Sequence, residues 1–184
     1  MINRSEAFNL LNEYTKNPNL IKHALAIEAA MNFYADLFNE DKDEWGIVGL
    51  LHDFDYEKYP QAPDHPVKGS EILKEKGYPE STINAIIGHA DYTGVPRDTK
   101  MAKTLFAVDE LCGFIIAVTL VRPNKKLDEV GVRSVKKKLK NIAFAKQVSR
   151  DDITKGAEEI GLPLDEHIQN CLNALNKVAD DLGL

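Results

Sequence analysis

The sequence predicts an all-α fold on three observations. Apolar residues recur at helical spacing along most of the chain, helix-starting residues precede the periodic stretches, and no run alternates apolar with polar between hairpin turns. The first periodic stretch sets Leu20, Ala24, Ile27, Met31, Tyr34 and Phe38 at three- and four-residue steps, one face of a long helix. Asp43 before Glu44-Trp45 marks the start of the next, an apolar run that ends at Gly49-Leu50-Leu51-His52-Asp53. Asp64, with Pro66 in the first turn, opens a third. Pro79 before Glu80-Ser81 opens a fourth, in which Ile86 and His89 lie close to one stripe. Asp98 before Thr99 opens a fifth, where Leu105, Val108, Cys112, Ile115, Ile116 and Thr119 keep a single phase. Residues 114–121 are β-branched enough for a strand, but they continue that phase and are read as helix. The connections at 59–64, 77–79, 94–96, 122–124 and 161–163 are short and rich in Pro and Gly. None is a domain linker, and no repeat of solenoid period is present.

At 184 residues, 43% hydrophobic and 28% charged, the chain has the size and mix of one globular domain. Asp plus Glu outnumber Lys plus Arg by 29 to 23, a net charge of -6, which argues against nucleic acid or an anionic membrane as partner. Residues 131–150 nevertheless hold seven Lys and Arg and no acid, and 151–184 hold eight acids and two lysines. That pattern is read as a solvated helix face followed by an acidic helical tail. Two cysteines, Cys112 and Cys171, make no disulfide framework and suit a reducing compartment. No apolar run is long enough to span a bilayer, and the opening Met1-Ile2-Asn3-Arg4-Ser5-Glu6 is too polar for a signal peptide, so a cytoplasmic location is expected.

Four of the five histidines fall between positions 23 and 89. His23 lies beside the apolar stripe of its helix, His52-Asp53 ends an apolar helix, and Asp109 sits at the edge of an apolar face three residues before Cys112. A half-buried aspartate within a helix is costly unless it is paired or metal-bound. Imidazole and carboxylate are together a ligand set for zinc and first-row transition metals. His167 lies outside this pattern, on a helix with Leu164, Ile168, Cys171 and Leu175, where a core position is the simpler reading.

The ordered residues His23, His52-Asp53 and Asp109 resemble the H…HD…D signature of the HD-domain superfamily of metal-dependent phosphohydrolases. His65 and His89 stand where two-metal members place additional histidines, and the resemblance covers about residues 19–123, leaving 124–184 as a helical extension. It implies a helical bundle with a metal site between helices. It also implies one or two divalent ions (Mn, Fe, Co, Ni or Zn): His23, His52, Asp53 and Asp109 would hold the first, and Asp53 would bridge to a second completed by His65 and His89. Two departures, Ala90 after His89 and Phe54-Asp55-Tyr56 after the HD pair, point to a weaker second metal and away from a cyclic dinucleotide. The implied activity is hydrolysis of a small phosphoester, such as a nucleotide, by a metal-activated hydroxide, with Asp53 and Lys68 as catalytic residues. Lys68, Lys58 and Arg122 are the cations expected at the phosphate oxygens. Tyr56, Tyr59 and Tyr92 are positioned to stack on a base or to pack the loops over the site, and Gly113 to leave room for substrate. Asp55 and Glu57 flank the loop after the HD pair, where a general acid or an outer-shell partner is one reading and an exposed acid the simpler one in an acidic protein. The alternatives are a di-iron oxygenase of the same superfamily and a non-catalytic metal- or nucleotide-binding regulatory module.

Overall fold

The computed structural model describes residues 3–184. Ten α-helices follow one another, and no strand occurs among the described residues: α1 (Arg4–Tyr14), α2 (Pro18–Phe38), α3 (Lys42–Leu51), α4 (Asp64–Glu75), α5 (Glu80–Gly88), α6 (Lys100–Leu120), α7 (Val132–Leu139), α8 (Arg150–Glu159), α9 (Leu164–Asn176) and α10 (Ala179–Leu182). The segment 114–121 is helical through Leu120, in the phase that begins at Leu105.

Two of the expected helix starts are displaced. Asp41, not Asp43, caps α3, its carboxylate accepting from the Glu44 amide at 3.0 Å; Asp43 falls in the first turn, where it still complements the positive helix end. Thr99, not Asp98, caps α6 by accepting from the Ala102 amide at 3.1 Å. In α4 the backbone of His65 is extended, with φ -80° and ψ 137°. A residue before proline is pushed out of the helical region, so the regular turns of α4 begin only at Pro66.

The long helices α2 and α6 form the centre, with α3 laid along α2 and α8 and α9 against α6. Ile27 and Met31 of α2, Leu50 and Leu51 of α3 and Leu105, Leu111 and Phe114 of α6 are wholly buried. Each such side chain contributes roughly 1.5–3 kcal/mol by leaving water. The α2–α3 approach is close enough to require glycine: a Cβ at Gly49 would lie 2.8 Å from the Ile27 carbonyl oxygen and 2.9 Å from the Glu28 nitrogen. Glu28, buried on α2, is held by the Arg4 guanidinium, with Nη2 2.9 Å from Oε2. A buried charge is tolerable when paired in this way.

His167 on α9 is a satisfied core residue. The Tyr34 hydroxyl donates to its Nδ1 at 2.6 Å, and its Nε2 donates to the Ala107 carbonyl at 2.9 Å, which ties α9 to both central helices. Part of the basic stretch is solvated, with Arg133, Lys137 and Lys140 exposed on and just after α7 and Lys136 2.6 Å from Asp165 of α9, whereas Arg150 turns inward, donating to the Phe144, Ala145 and Val148 carbonyls. No helix of the described residues is long and apolar enough to cross a membrane.

Candidate metal centre

Five elements bring six side chains together. His23 comes from the second turn of α2 and Asp109 from the middle of α6; His52 closes α3 and Asp53 follows it; His65 precedes the first regular turn of α4; and His89 closes α5. They form two groups, His23–His52–Asp109 and Asp53–His65–His89, each with one ligand atom per residue and those atoms within 4.8 Å of one another. In the first, His23 Nε2 is 3.0 Å and His52 Nε2 3.5 Å from Asp109 Oδ1, and the two ring nitrogens face each other at 3.2 Å. In the second, Asp53 Oδ1 is 3.1 Å from His65 Nε2 and 3.4 Å from His89 Nε2. The adjacent His52 and Asp53 join the groups, with His52 Nε2 3.5 Å from Asp53 Oδ2. All six expected ligands therefore share one site, with Asp53 grouped with the second set.

Three of the four rings are held from behind. His52 Nδ1 donates to the Gly49 carbonyl at 2.8 Å, and His89 Nδ1 donates to the Ile86 carbonyl at 2.5 Å. His65 Nδ1 bonds Asp55 Oδ1 at 2.8 Å. An Nδ1 that donates leaves the Nε2 of the neutral ring as a lone pair aimed at the cluster, the orientation in which histidine ligates metals. Asp55 is thus a fully buried residue, not the exposed loop acid its position suggested, and its second oxygen accepts from the Gly69 amide at 2.8 Å. Glu57 does lie outside the cluster, accepting from the Lys16 and Asn17 amides at the start of α2.

The charges are mutually dependent. Burial opposes a charge on His65, but Asp53 and Asp55 outweigh it and raise the ring to about 9. Burial likewise opposes charge on His52 and His89, and the carboxylates of Asp53 and Asp109 carry both rings upward overall. Burial alone would raise Asp53 and Asp109, yet the histidines around them bring both well below the usual carboxylate range. Without metal the cluster balances itself with protons, which cations can replace.

The cluster forms the floor of a cavity of about 600 Å³ that opens to solvent. Tyr56, Tyr92 and Phe106 supply aromatic wall, and the Tyr92 hydroxyl donates to the His65 carbonyl. Tyr59 does not line it. Gly113 does, and a Cβ there would come no nearer than 3.9 Å to His23, so the missing side chain widens the cavity beside a ligand.

The expected phosphate-binding cations are elsewhere, and none of the three lines the cavity. Lys68 pairs with Glu71 at 2.9 Å on the exposed face of α4. Lys58 lies over the rings of Tyr14 and Tyr59, at 5.0 and 5.5 Å. Arg122 bonds the Ser134 hydroxyl. In their place the upper wall holds acids that the sequence reading did not single out: Glu110 of α6, Asp91, and Asp152 of α8. Burial pushes the Glu110 carboxyl up to about 7, and Asp109 and Asp152 add repulsion. Its Oε2 accepts from the Ser149 amide at 3.2 Å, which docks the start of α8 over the site. Asp91 is engaged by Arg97 and Lys155, at 2.6 and 2.7 Å. A residue at 110 or 152 gives no sequence signal, because its role is set by contact between helices forty residues apart.

The donor set fits divalent metal: mixed imidazole and carboxylate in two groups, with rings aimed by hydrogen bonds from behind. No solved structure matches the chain. A family model described as HD domain matches residues 20–112, half of the chain and the segment that supplies all six side chains. The chain therefore belongs to the HD domain family.

Proposed function

We propose that the chain is a metal-dependent phosphohydrolase that cleaves a small phosphoester. One observation carries the reading: two His/Asp groups joined through His52-Asp53 lie at the floor of an open cavity large enough for a small molecule. His23, His52 and Asp109 would hold one divalent ion, and Asp53, His65 and His89 a second. Such ions supply Lewis acidity, lowering the pKa of a bound water toward ~7 and neutralising charge on a phosphoryl group.

The chain's own residues set the geometry. The Gly49 and Ile86 carbonyls and the Asp55 carboxylate fix the rings of His52, His89 and His65, so the ligand atoms are placed before substrate arrives. Asp53 faces three imidazoles, and its charge binds both groups into one unit. Tyr56, Tyr92 and Phe106 line the cavity and would supply apolar surface for the remainder of the substrate. In the overall reaction a water oxygen bonds to phosphorus, the ester P–O bond breaks, and the departing oxygen takes a proton to leave as an alcohol.

The test is elemental analysis of protein purified without chelator, paired with phosphate release by wild type and Asp53→Ala. Stoichiometric divalent metal and metal-dependent hydrolysis are expected in wild type, with both lost in the variant while helix content is kept. A variant that retains metal and turnover would overturn the assignment of Asp53, and wild type that takes up no metal would overturn the reading altogether.

A further inference from the structure

The lining of the cavity contains five carboxylates and, among the described residues, no lysine or arginine. Three of the five are accounted for. Asp53 and Asp109 face the clustered imidazoles, and Asp91 is neutralised by Arg97 and Lys155. Glu110 and Asp152 have no cationic partner among the described residues. Arg97, outside the cavity lining, is spent on Asp91 and Glu159 and stacks on Phe106 with its guanidinium carbon 3.7 Å from the ring centre.

This arrangement bears on the substrate. A phosphoryl group at the floor would meet imidazoles and the cations they hold. A second phosphate or a carboxylate held in the same cavity would share it with Asp152 and Glu110, with no lysine or arginine among the described lining residues to offset them; Glu110, whose neutral form burial favours, contributes the smaller part of the repulsion. We infer that the cavity selects phosphomonoesters carrying a single phosphoryl group and an uncharged or cationic remainder, and that Glu110 and Asp152 exclude polyphosphates and acid-bearing esters. The inference rests on the phosphohydrolase reading for the position of the phosphoryl group. The aromatic wall agrees with it: Tyr92, exposed at the cavity, offers a π-face of the kind that attracts ammonium groups and stacks on neutral rings. Discrimination works chiefly by repelling the wrong substrate rather than by extra grip on the right one.

The experiment uses the full chain loaded with Mn²⁺ and three small esters that differ in the group remote from phosphate: 2-aminoethyl phosphate, glycerol 3-phosphate and 3-phosphoglycerate. A nucleoside 5′-monophosphate is run beside its triphosphate. Hydrolysis (kcat/KM) and calorimetric binding are measured in parallel, for wild type and for a Glu110→Gln, Asp152→Asn double variant. Glutamine at 110 can still accept from the Ser149 amide, so the α8 contact survives, and circular dichroism checks the fold. Wild type is expected to favour ammonium over hydroxyl over carboxylate, and monophosphate over triphosphate, on the order of tenfold per added negative charge. The double variant is expected to compress both series toward equality.

Turnover with no preference, or with preference for the more anionic member, would overturn the inference and leave the hydrolase reading standing. Binding in the expected order without turnover would uphold charge selection and overturn the hydrolase reading. Neither turnover nor ordered binding would overturn both.

Discussion

Replacing Asp55 by Asn tests the ring-fixing argument with the exchange of a single heavy atom, one carboxylate oxygen for nitrogen. Asp55 is fully buried and accepts from two donors, the Gly69 amide at 2.8 Å and His65 Nδ1 at 2.8 Å. Asparagine offers one acceptor and one NH₂ in the same space. The Gly69 N–H cannot change its role, so it keeps the carbonyl oxygen and the NH₂ is left against His65. The ring then accepts at Nδ1 and its proton moves to Nε2, the atom 3.1 Å from Asp53. A protonated Nε2 cannot ligate. Restoring the ligating tautomer sets two buried donors against each other, at a cost of about 1–3 kcal/mol. That corresponds to a loss of roughly 10–100-fold in affinity at the Asp53–His65–His89 group. Asp55 belongs to neither His/Asp group and bonds none of the residues of the His23–His52–Asp109 group, so the affinity of that group should hold. Calorimetric titration of metal into the stripped chain would read both sites, and ¹⁵N chemical shifts would report the His65 tautomer. Unchanged affinity at the second group, with the tautomer flipped, would refute the claim that Asp55 governs ligation; an unflipped tautomer would refute the hydrogen-bond argument behind it.

Further predictions concern pH and packing. In the metal-free chain His65 is raised from its ordinary 6.5 to about 9, so its stabilising contribution is complete below 6.5 and is lost as pH climbs through about 9. The urea midpoint of stripped protein should fall across that window while metal affinity rises, since metal and protons compete for the same nitrogens; a midpoint that rises would contradict the charge balance described for the site. Gly69→Ala would place a Cβ 2.7 Å from Asp55 Cγ, and should both weaken the second metal and lower stability by about 1–3 kcal/mol, measured by metal titration and urea melts. Gly49→Ala presses on the backbone of Ile27 and Glu28, which cannot rotate away, and should lower the urea midpoint by an equivalent of about 1–3 kcal/mol or more. An unaltered midpoint would mean that α2 and α3 are not in fixed contact there.

The helices were legible because their apolar spacing is regular, and the six clustered side chains because their order in the chain is distinctive. What could not be read depended on distances. Asp41 and Asp43, like Asp98 and Thr99, are both good capping residues, and only the path of the chain decides which oxygen meets a free amide. Lys68 stands three residues after His65, about one helical turn in a regular helix, but His65 is extended before Pro66 and shares no helical phase with it. In an acidic protein a loop aspartate is by default exposed, but the residues after His52 turn against α4 and bury Asp55 between His65 and the Gly69 amide. Glu110 and Asp152 acquire meaning only where α6 and α8 meet over the cavity.

Asp152 and its neighbours Gln147 and Val148 come from beyond the segment matched by the family model, yet they line the same cavity as the His/Asp groups. Part of the cavity wall is therefore encoded outside the stretch that supplies the six clustered side chains. A library confined to residues 144–152 would sample new substrate preferences while every metal ligand stayed fixed, whereas deleting everything after α6 would strip the cover from Leu111, Phe114 and Ile115 and cost the fold along with that wall. Under the proposed reading, that part of the wall could be varied without touching a clustered histidine or aspartate, provided it is edited rather than removed.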